Sequence, residues 1–274
     1  MFSFVAAARP ARPGFWSIRG PMSQRTYWLL AGLGLVVPLV CWWVLSAQGL
    51  VSKVFLPGPV DVYHRVLTWS MQDKLLSDTS ISVYRVTVGW LLSAVLAIPL
   101  GMLIGTFRPV QAVLEPLTDF IRYMPAVAFI PLVMLWIGID EGSKIAIIFI
   151  GTFLQMVLMV AEDVRRVPTT QIEAAQTMGA SRGEIIELVL LPAAKPALLD
   201  TLRITMGWAW TYLVVAELVA ANSGLGYAIL KAQRFLQTDK IFAGIIIIGM
   251  IGLLIDQMFR WLHRKAFPWM HLKR

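Results

Sequence analysis

The chain reads as an all-α membrane protein with six transmembrane helices and both termini in the cytoplasm. Three observations predict this. The first is composition: 58% of the 274 residues are hydrophobic, 15% are charged and mean hydropathy is +0.70. That is too apolar for an ordinary soluble domain. The second is a set of uncharged runs. Thr26 to Ser52 and Val86 to Phe107 hold no acid, Lys, Arg or His, and each can cross ~30 Å of hydrocarbon at ~1.5 Å per residue. The third is charge placement. With the N-terminus inside, 16 of the 24 Lys and Arg lie on the cytoplasmic side and 8 outside, as the positive-inside rule requires.

The elements follow in order. Residues 1–25 hold Arg9, Arg12, Arg19 and Arg25, no acid, and three prolines, which predicts an irregular basic tail. Span 1 covers 27–50. It is too long for the apolar region of a signal peptide and no small-residue cleavage site closes it, so it is read as retained. Its Cys41 is the single cysteine, which excludes an internal disulfide and a Cys-based metal site and fits a small apolar residue. Leu56-Pro57-Gly58-Pro59 breaks the helix. Val62, Val66 and Trp69 at helical spacing predict a short surface helix within 60–80. Span 2 runs over 82–107, with Arg85 near its outer end. Span 3 covers 123–139, and Pro125 and Pro131 predict a kink or a broken entry.

After the turn Gly138-Ile139-Asp140-Glu141-Gly142, span 4 covers 144–161 and a long polar loop covers 162–203. Span 5 covers 204–221. Asn222 to Gly226 form a turn, 227–240 a short polar helix and 241–259 span 6. The membrane domain is therefore 26–262, with a basic tail at 263–274. Trp28, Trp42, Trp43, Trp261 and Trp269 lie near span ends, as an aromatic belt would. Topology and anionic lipid headgroups account for the net charge of +8 without any nucleic acid.

The loop carries the most specific signals. Pro168 precedes Thr170-Gln171-Ile172-Glu173, which fits a capping box with Thr170 as N-cap. The helix it predicts runs to Met178, and Gly179 suits the position past its end. Ser181-Arg182-Gly183-Glu184 is a second box. Its helix is expected to end before Pro192. Two short helices with a Gly179-Ala180 hinge result. Ala174 and Ala175 are small enough for another surface to approach closely.

The spacing Glu173-Ala174-Ala175, three residues, Gly179, nine residues, Val189, one residue, Leu191-Pro192 resembles the EAA loop of ABC-importer permease subunits, with Val in place of the family's Ile. The resemblance covers nearly all of 50–265. It implies a type I ABC importer permease fold in a bacterial inner membrane. It also implies that Glu173, Ala174, Ala175, Gly179, Ala180, Ser181, Leu191 and Pro192 couple to an ATP-hydrolysing subunit. The implied partners are a second copy of this chain (or a paired permease), two cytoplasmic ABC ATPases that bind ATP and Mg, and an extracytoplasmic substrate-binding protein. No cofactor is expected in the chain itself.

Gly138 to Ile145, Ala216-Glu217-Leu218 with Gly224-Leu225-Gly226, and Thr238-Asp239 are similar to stretches of nitrate, sulfonate, taurine and bicarbonate permeases. The family's R-P-x-P-P-L-A stretch appears here as Arg122-Tyr123-Met124-Pro125-Ala126-Val127-Ala128, lacking two of the prolines.

A translocation path needs polar groups between spans. Glu217 is the intramembrane acid; it pairs with an Arg such as Arg85 or holds an outer gate. Tyr123, Met124, Thr152, Gln155, Trp208 and Thr211 are the other candidates, with Trp210 and Tyr212 beside them. Hydroxyls, indole N–H groups and amides bind oxyanions without a formal charge; the aromatic residues serve equally as packing or interface anchors. His64, His263 and His271 have no ligand spacing, and no phosphate-binding G-x-x-x-x-G-K-[ST] loop occurs. The chain is therefore not the ATPase, and no catalytic constellation marks it as an enzyme. An ion-coupled secondary carrier, and an importer permease for another small organic solute, are the alternatives.

Overall fold

A computed structural model describes residues 22–49, 51–72 and 74–270. No strand occurs among the described residues. The chain divides into two units, Met1–Asp61 and Val62–Arg274.

In the first unit, α1 spans Gln24–Ala47, and Ser23 caps it by accepting from the Thr26 N–H at 3.1 Å. The helix therefore starts inside the expected basic tail, whose residues 1–21 lie outside the described residues. Leu29, Leu33, Leu35, Leu39 and Trp43 are exposed, and so is Cys41. The Trp42 indole N–H donates to the Pro57 carbonyl at 2.9 Å, and Ser46 Oγ to the Leu56 carbonyl at 3.3 Å. These two bonds fold the Pro-Gly-Pro turn back onto the helix. Helix α2 follows at Pro59–Gln72.

The second unit is organised by α3 (Leu75–Thr106), α6 (Glu141–Arg165), α9 (Leu191–Ala220) and α11 (Thr238–Ala266). Arg85 meets Glu141, Ser93 meets Thr152 and Gly105 meets Ala161, so α3 and α6 run parallel. They also run very close. A Cβ on Gly101 would lie 2.6 Å from the Val157 carbonyl oxygen, and one on Gly105 2.7 Å from that of Ala161. Small residues at a helix contact permit this approach. Helix α9 runs the other way, since Thr201 meets Asp163, Tyr212 meets Gly151 and Glu217 meets Ser82. Helix α11 reverses again, with Asp256 near Arg203 and His263 near Asp200. Val86, Ile104, Ile148, Met156, Val157 and Leu213 are buried between these rods.

Because α3 and α6 are parallel, the chain between them must return. It does so through α4 (Arg108–Arg122), a 3₁₀ turn at Ala126–Phe129 and α5 (Ile130–Ile137), bent by 85° at the break. Pro125 sits at that break in extended geometry; it has no N–H to continue the ladder and disfavours helix in the residue before it. The expected broken span 3 is thus longer than 123–139, and α4 was not foreseen.

Four helices are long and apolar enough to cross a membrane, namely α1, α3, α6 and α11, and the bent pair makes a fifth candidate. Helix α9 has 30 residues, ample at ~1.5 Å each, but carries Lys195, Asp200, Arg203 and Glu217.

The polar loop expected at 162–203 is a correction. Helix α6 runs to Arg165, and α7 covers Thr169–Thr177. The turn at Arg182–Glu184 (α8) passes through a π-helical stretch, Ile185–Leu190, directly into α9. Pro192 is therefore not a stop. The widened turn ends with the Leu191 N–H donating to the Ile186 carbonyl, which makes room for a proline ring that would clash in an α-helical turn. The last expected elements also shift: α10 covers Leu225–Arg234, and α11 continues through the start of the expected tail to Ala266. Residues 271–274 lie outside the described residues.

Candidate functional site

The second unit carries polar chemistry at three levels. At one end of α3, Arg85 is fully buried. Its Nε and Nη2 donate to the two oxygens of Glu141 at 2.6 and 2.7 Å. Nη1 donates to Glu217 Oε1 and to the Ser223 carbonyl, each at 2.7 Å, and Nη2 also reaches Ser223 Oγ at 3.2 Å. All five donor directions of the guanidinium are used. Glu217 is equally buried. It accepts from Ser82 Oγ at 2.7 Å and from the Gly226 N–H at 2.7 Å, so the N-terminus of α10 points at a carboxylate, a favourable dipole arrangement. Gly224 has φ +108°, and a Cβ there would run into Glu217 and Arg85. Lys144 Nζ adds a bond to Glu141 at 2.9 Å. This knot ties α3, α6, α9 and α10 together. The Arg85–Glu217 contact was one of two options at the level of sequence. Glu141 was missed as its third member, because it sits in what reads as an exposed turn.

Midway along α6 and α9 lies a cavity of about 330 Å³. Arg122, Met124, Gln155, Trp208, Thr211 and Tyr212 line it. Of the sequence candidates, this brings together Met124, Gln155, Trp208 and Thr211. It leaves out Glu217, held in the knot. It also leaves out Thr152, which is buried, shares a 2.7 Å hydrogen bond with Ser93 and donates to the Ile148 carbonyl. Tyr123 lies beside the cavity, mostly exposed, with its ring 4.8 Å beneath the Arg122 guanidinium. Arg122 itself was counted as a cytoplasmic loop charge. It ends α4 and lines the same cavity as Gly151 and Trp208. Charge counting treats every Arg between spans as a loop residue, and a span broken at 123–125 defeats it.

At the opposite end from the knot lies the segment with the Glu-Ala-Ala spacing. Helix α7 starts after Pro168 without a side-chain cap, so the capping box expected at Thr170 is not formed; the helix begins too early for Thr170 to be its N-cap. Ala175 is buried and packs with the core, whereas Glu173, Ala174 and Met178 are exposed. The helix closes with the Ala180 N–H on the Ala175 carbonyl at 3.0 Å and the Gly179 N–H on that of Gln176 at 2.9 Å. Gly179 has φ +84°, the left-handed ending that favours glycine. The second box is made: the Ser181 N–H donates to Glu184 Oε2 at 2.7 Å and the Glu184 N–H to Ser181 Oγ at 3.4 Å. Hydrogen bonding to the Ser181 side chain, and then to the Ser181 N–H, holds the Glu184 carboxyl below its ordinary pKa. Leu191 and Pro192 open α9. Among the described residues no group of His, Cys, Asp and Glu is arranged to hold a metal ion.

Comparison with known proteins fits this architecture. A probable ABC transporter permease protein of Brucella melitensis is 39% identical over 245 residues, covering 88% of this chain and 98% of that protein. The putative aliphatic sulfonates transport permease protein of Bacillus subtilis is 36% identical, covering 98% of each chain. The taurine transport system permease protein of Escherichia coli is 34% identical, covering 92% of each. Inward-facing structures of the MetNI methionine ABC transporter share the fold, with TM-score 0.59 at 23% identity over 68% of this chain and 94% of that one. Residues 97–268 match the family described as binding-protein-dependent transport system inner membrane component. The secondary-carrier alternative falls away, and the chain belongs to this family of ABC transporter permeases, transport subunits of the inner membrane rather than enzymes.

Proposed function

We propose that this chain is the permease of an ATP-driven importer for small oxyanions of the sulfonate class. It works as a pair of identical chains with six crossings each and cytoplasmic termini. Two ABC ATPases on the side of α7 bind ATP and Mg, and a binding protein on the side of the knot delivers substrate. One observation carries the reading. The Arg182–Glu184 turn that follows the Glu173–Ser181 segment runs through the π-helical stretch into α9 without a break, and the middle of α9 lines the cavity. A partner that moves α7 and α8 therefore moves a cavity wall, which is how alternating access is driven from outside the membrane domain. The opposite directions of α9 and of α3, α6 and α11 support the topology.

The substrate class rests on the taurine and aliphatic sulfonate relatives, with bicarbonate a more distant third at 29% identity. The cavity adds to it: its lining offers an amide, hydroxyls and an indole N–H but no acid. The test is uptake into proteoliposomes holding the permease, its ATPases and its binding protein. ATP-dependent accumulation of taurine or ethanesulfonate is expected. Accumulation of only uncharged solutes, or uptake indifferent to ATP, overturns the proposal.

A further inference from the structure

Two arginines of the second unit, Arg85 and Arg122, differ in a way that points to a ligand. Arg85 is fully buried and its donors are all used within the chain. Arg122 lies at the same cavity level as Gln155, Trp208 and Thr211. Its side chain is about one-third exposed, and its pairing is partial. Nε meets Asp119 Oδ1 at 3.1 Å, and Nη2 donates to the Tyr123 hydroxyl at 3.1 Å. Among the described residues Nη1 has no acceptor. An ionised group midway along membrane helices is expensive and is kept for function. This one is also the only charged residue in the cavity's described lining.

We propose that Arg122 is the anion-binding group of the cavity, and that Asp119 is the counter-ion a substrate oxyanion displaces. The inference rests on the oxyanion reading above and names the group that recognises the anion. The geometry favours it in three ways. The guanidinium fork matches two oxygens of a sulfonate or carboxylate at once. The Tyr123 ring centroid lies 4.8 Å from the guanidinium carbon, a cation–π contact that steadies the group while Nη1 keeps no acceptor. Arg122 sits in the last turn of α4, where the helix dipole stabilises a cation without neutralising it. Asp119 lies one turn earlier on the same helix, with nearly half of its side chain exposed. Its carboxylate can swing away to water when a competing anion arrives. The Gln155 amide, the Thr211 hydroxyl and the Trp208 indole N–H are placed to complete the shell.

The experiment uses the assembled transporter with Cys41→Ala and Thr211→Cys, so that the only thiol of the permease lines the cavity. Two methanethiosulfonate probes are compared, one bearing a sulfonate and one a trimethylammonium group, each corrected for its rate with a free thiol. The expected result is a preference of tenfold or more for the sulfonate probe. Arg122→Gln abolishes it, Arg122→Lys keeps most of it and Asp119→Asn increases it. In the Cys41-containing transporter, Arg122→Gln lowers taurine uptake at least tenfold while ATPase subunits remain bound, and Arg122→Lys retains a third or more. A probe preference unchanged by Arg122→Gln overturns the inference. So does an Arg122→Gln protein that assembles yet takes up taurine as fast as the unmutated transporter. An Arg122-dependent probe preference in a transporter that moves no sulfonate overturns the substrate class of the proposed function and leaves the anion site standing.

Discussion

At the knot end of the second unit, one arginine holds two carboxylates, a serine and the turn before α10, with Arg85 and Glu217 fully buried and Glu141 about half exposed. At the other end, residues 166–184 are organised by local bonds: a left-handed glycine, a capping box and a buried Ala175. The first region is closed by contacts between elements far apart in sequence. The second is shaped by its own neighbours and leaves Glu173, Ala174 and Met178 uncovered. A surface built this way takes its shape from its own bonds. Every donor of Arg85 is used within the knot, which joins α3, α6, α9 and α10.

Three variants test the contrast. The largest effect is expected for Glu217→Ala, which leaves the Gly226 N–H buried without its acceptor and takes from Arg85 its one fully buried counter-ion. Breaking a buried pair from one side costs about 3–5 kcal/mol, read as loss of stability of the detergent-solubilised permease toward unfolding. A cost no larger than that of a surface substitution would mean that the knot is decoration. Next is Gly179→Val. Space is open around this glycine, so the penalty is backbone strain alone, about 1–2 kcal/mol. Hydrogen exchange should accelerate roughly tenfold for amides of 176–185, since local opening follows local stability, while α3 and α6 stay protected. Faster exchange throughout the unit would show that the two regions are not separate. The smallest effect belongs to the cap. Ser181→Ala should cost about 1 kcal/mol, read in the same exchange experiment. Acid should imitate it in the unmutated chain. Because the Glu184 carboxyl is held below its ordinary value, its contribution is complete above that ordinary value and fades as pH falls through the lowered one. The same amides should therefore lose protection on acidification and regain it on return to neutral pH. Protection that is flat with pH removes the capping box from the account.

The legible parts were those where physics leaves little choice. Long uncharged runs have one use, so α1, α3, α6 and α11 stood out. An intramembrane Glu217 needs a cation, so Arg85 could be named. The Ser181–Glu184 box announces a helix start and delivers it. The missed parts are those where one signal stands for two structures. Helix α4 mixes Val110, Val113, Leu114 and Leu117 with Glu115, Asp119 and two prolines, so no uncharged run marks it, although its apolar residues recur at helical spacing. Pro192 reads as a stop, and a π turn upstream changes its meaning. Arg122 reads as a loop charge because the chain bends 85° just after it.

That π turn has a mechanical consequence. A loop between the Arg182–Glu184 turn and α9 would absorb motion; a widened helical turn transmits it. Roughly 26 Å of continuous helix separates Leu191 from Trp208 at ~1.5 Å per residue. Pivoted at its lower end, such a rod turns a tilt of about 5° into a displacement of roughly 2 Å at the cavity wall. A shift of that size is enough to widen or narrow the cavity.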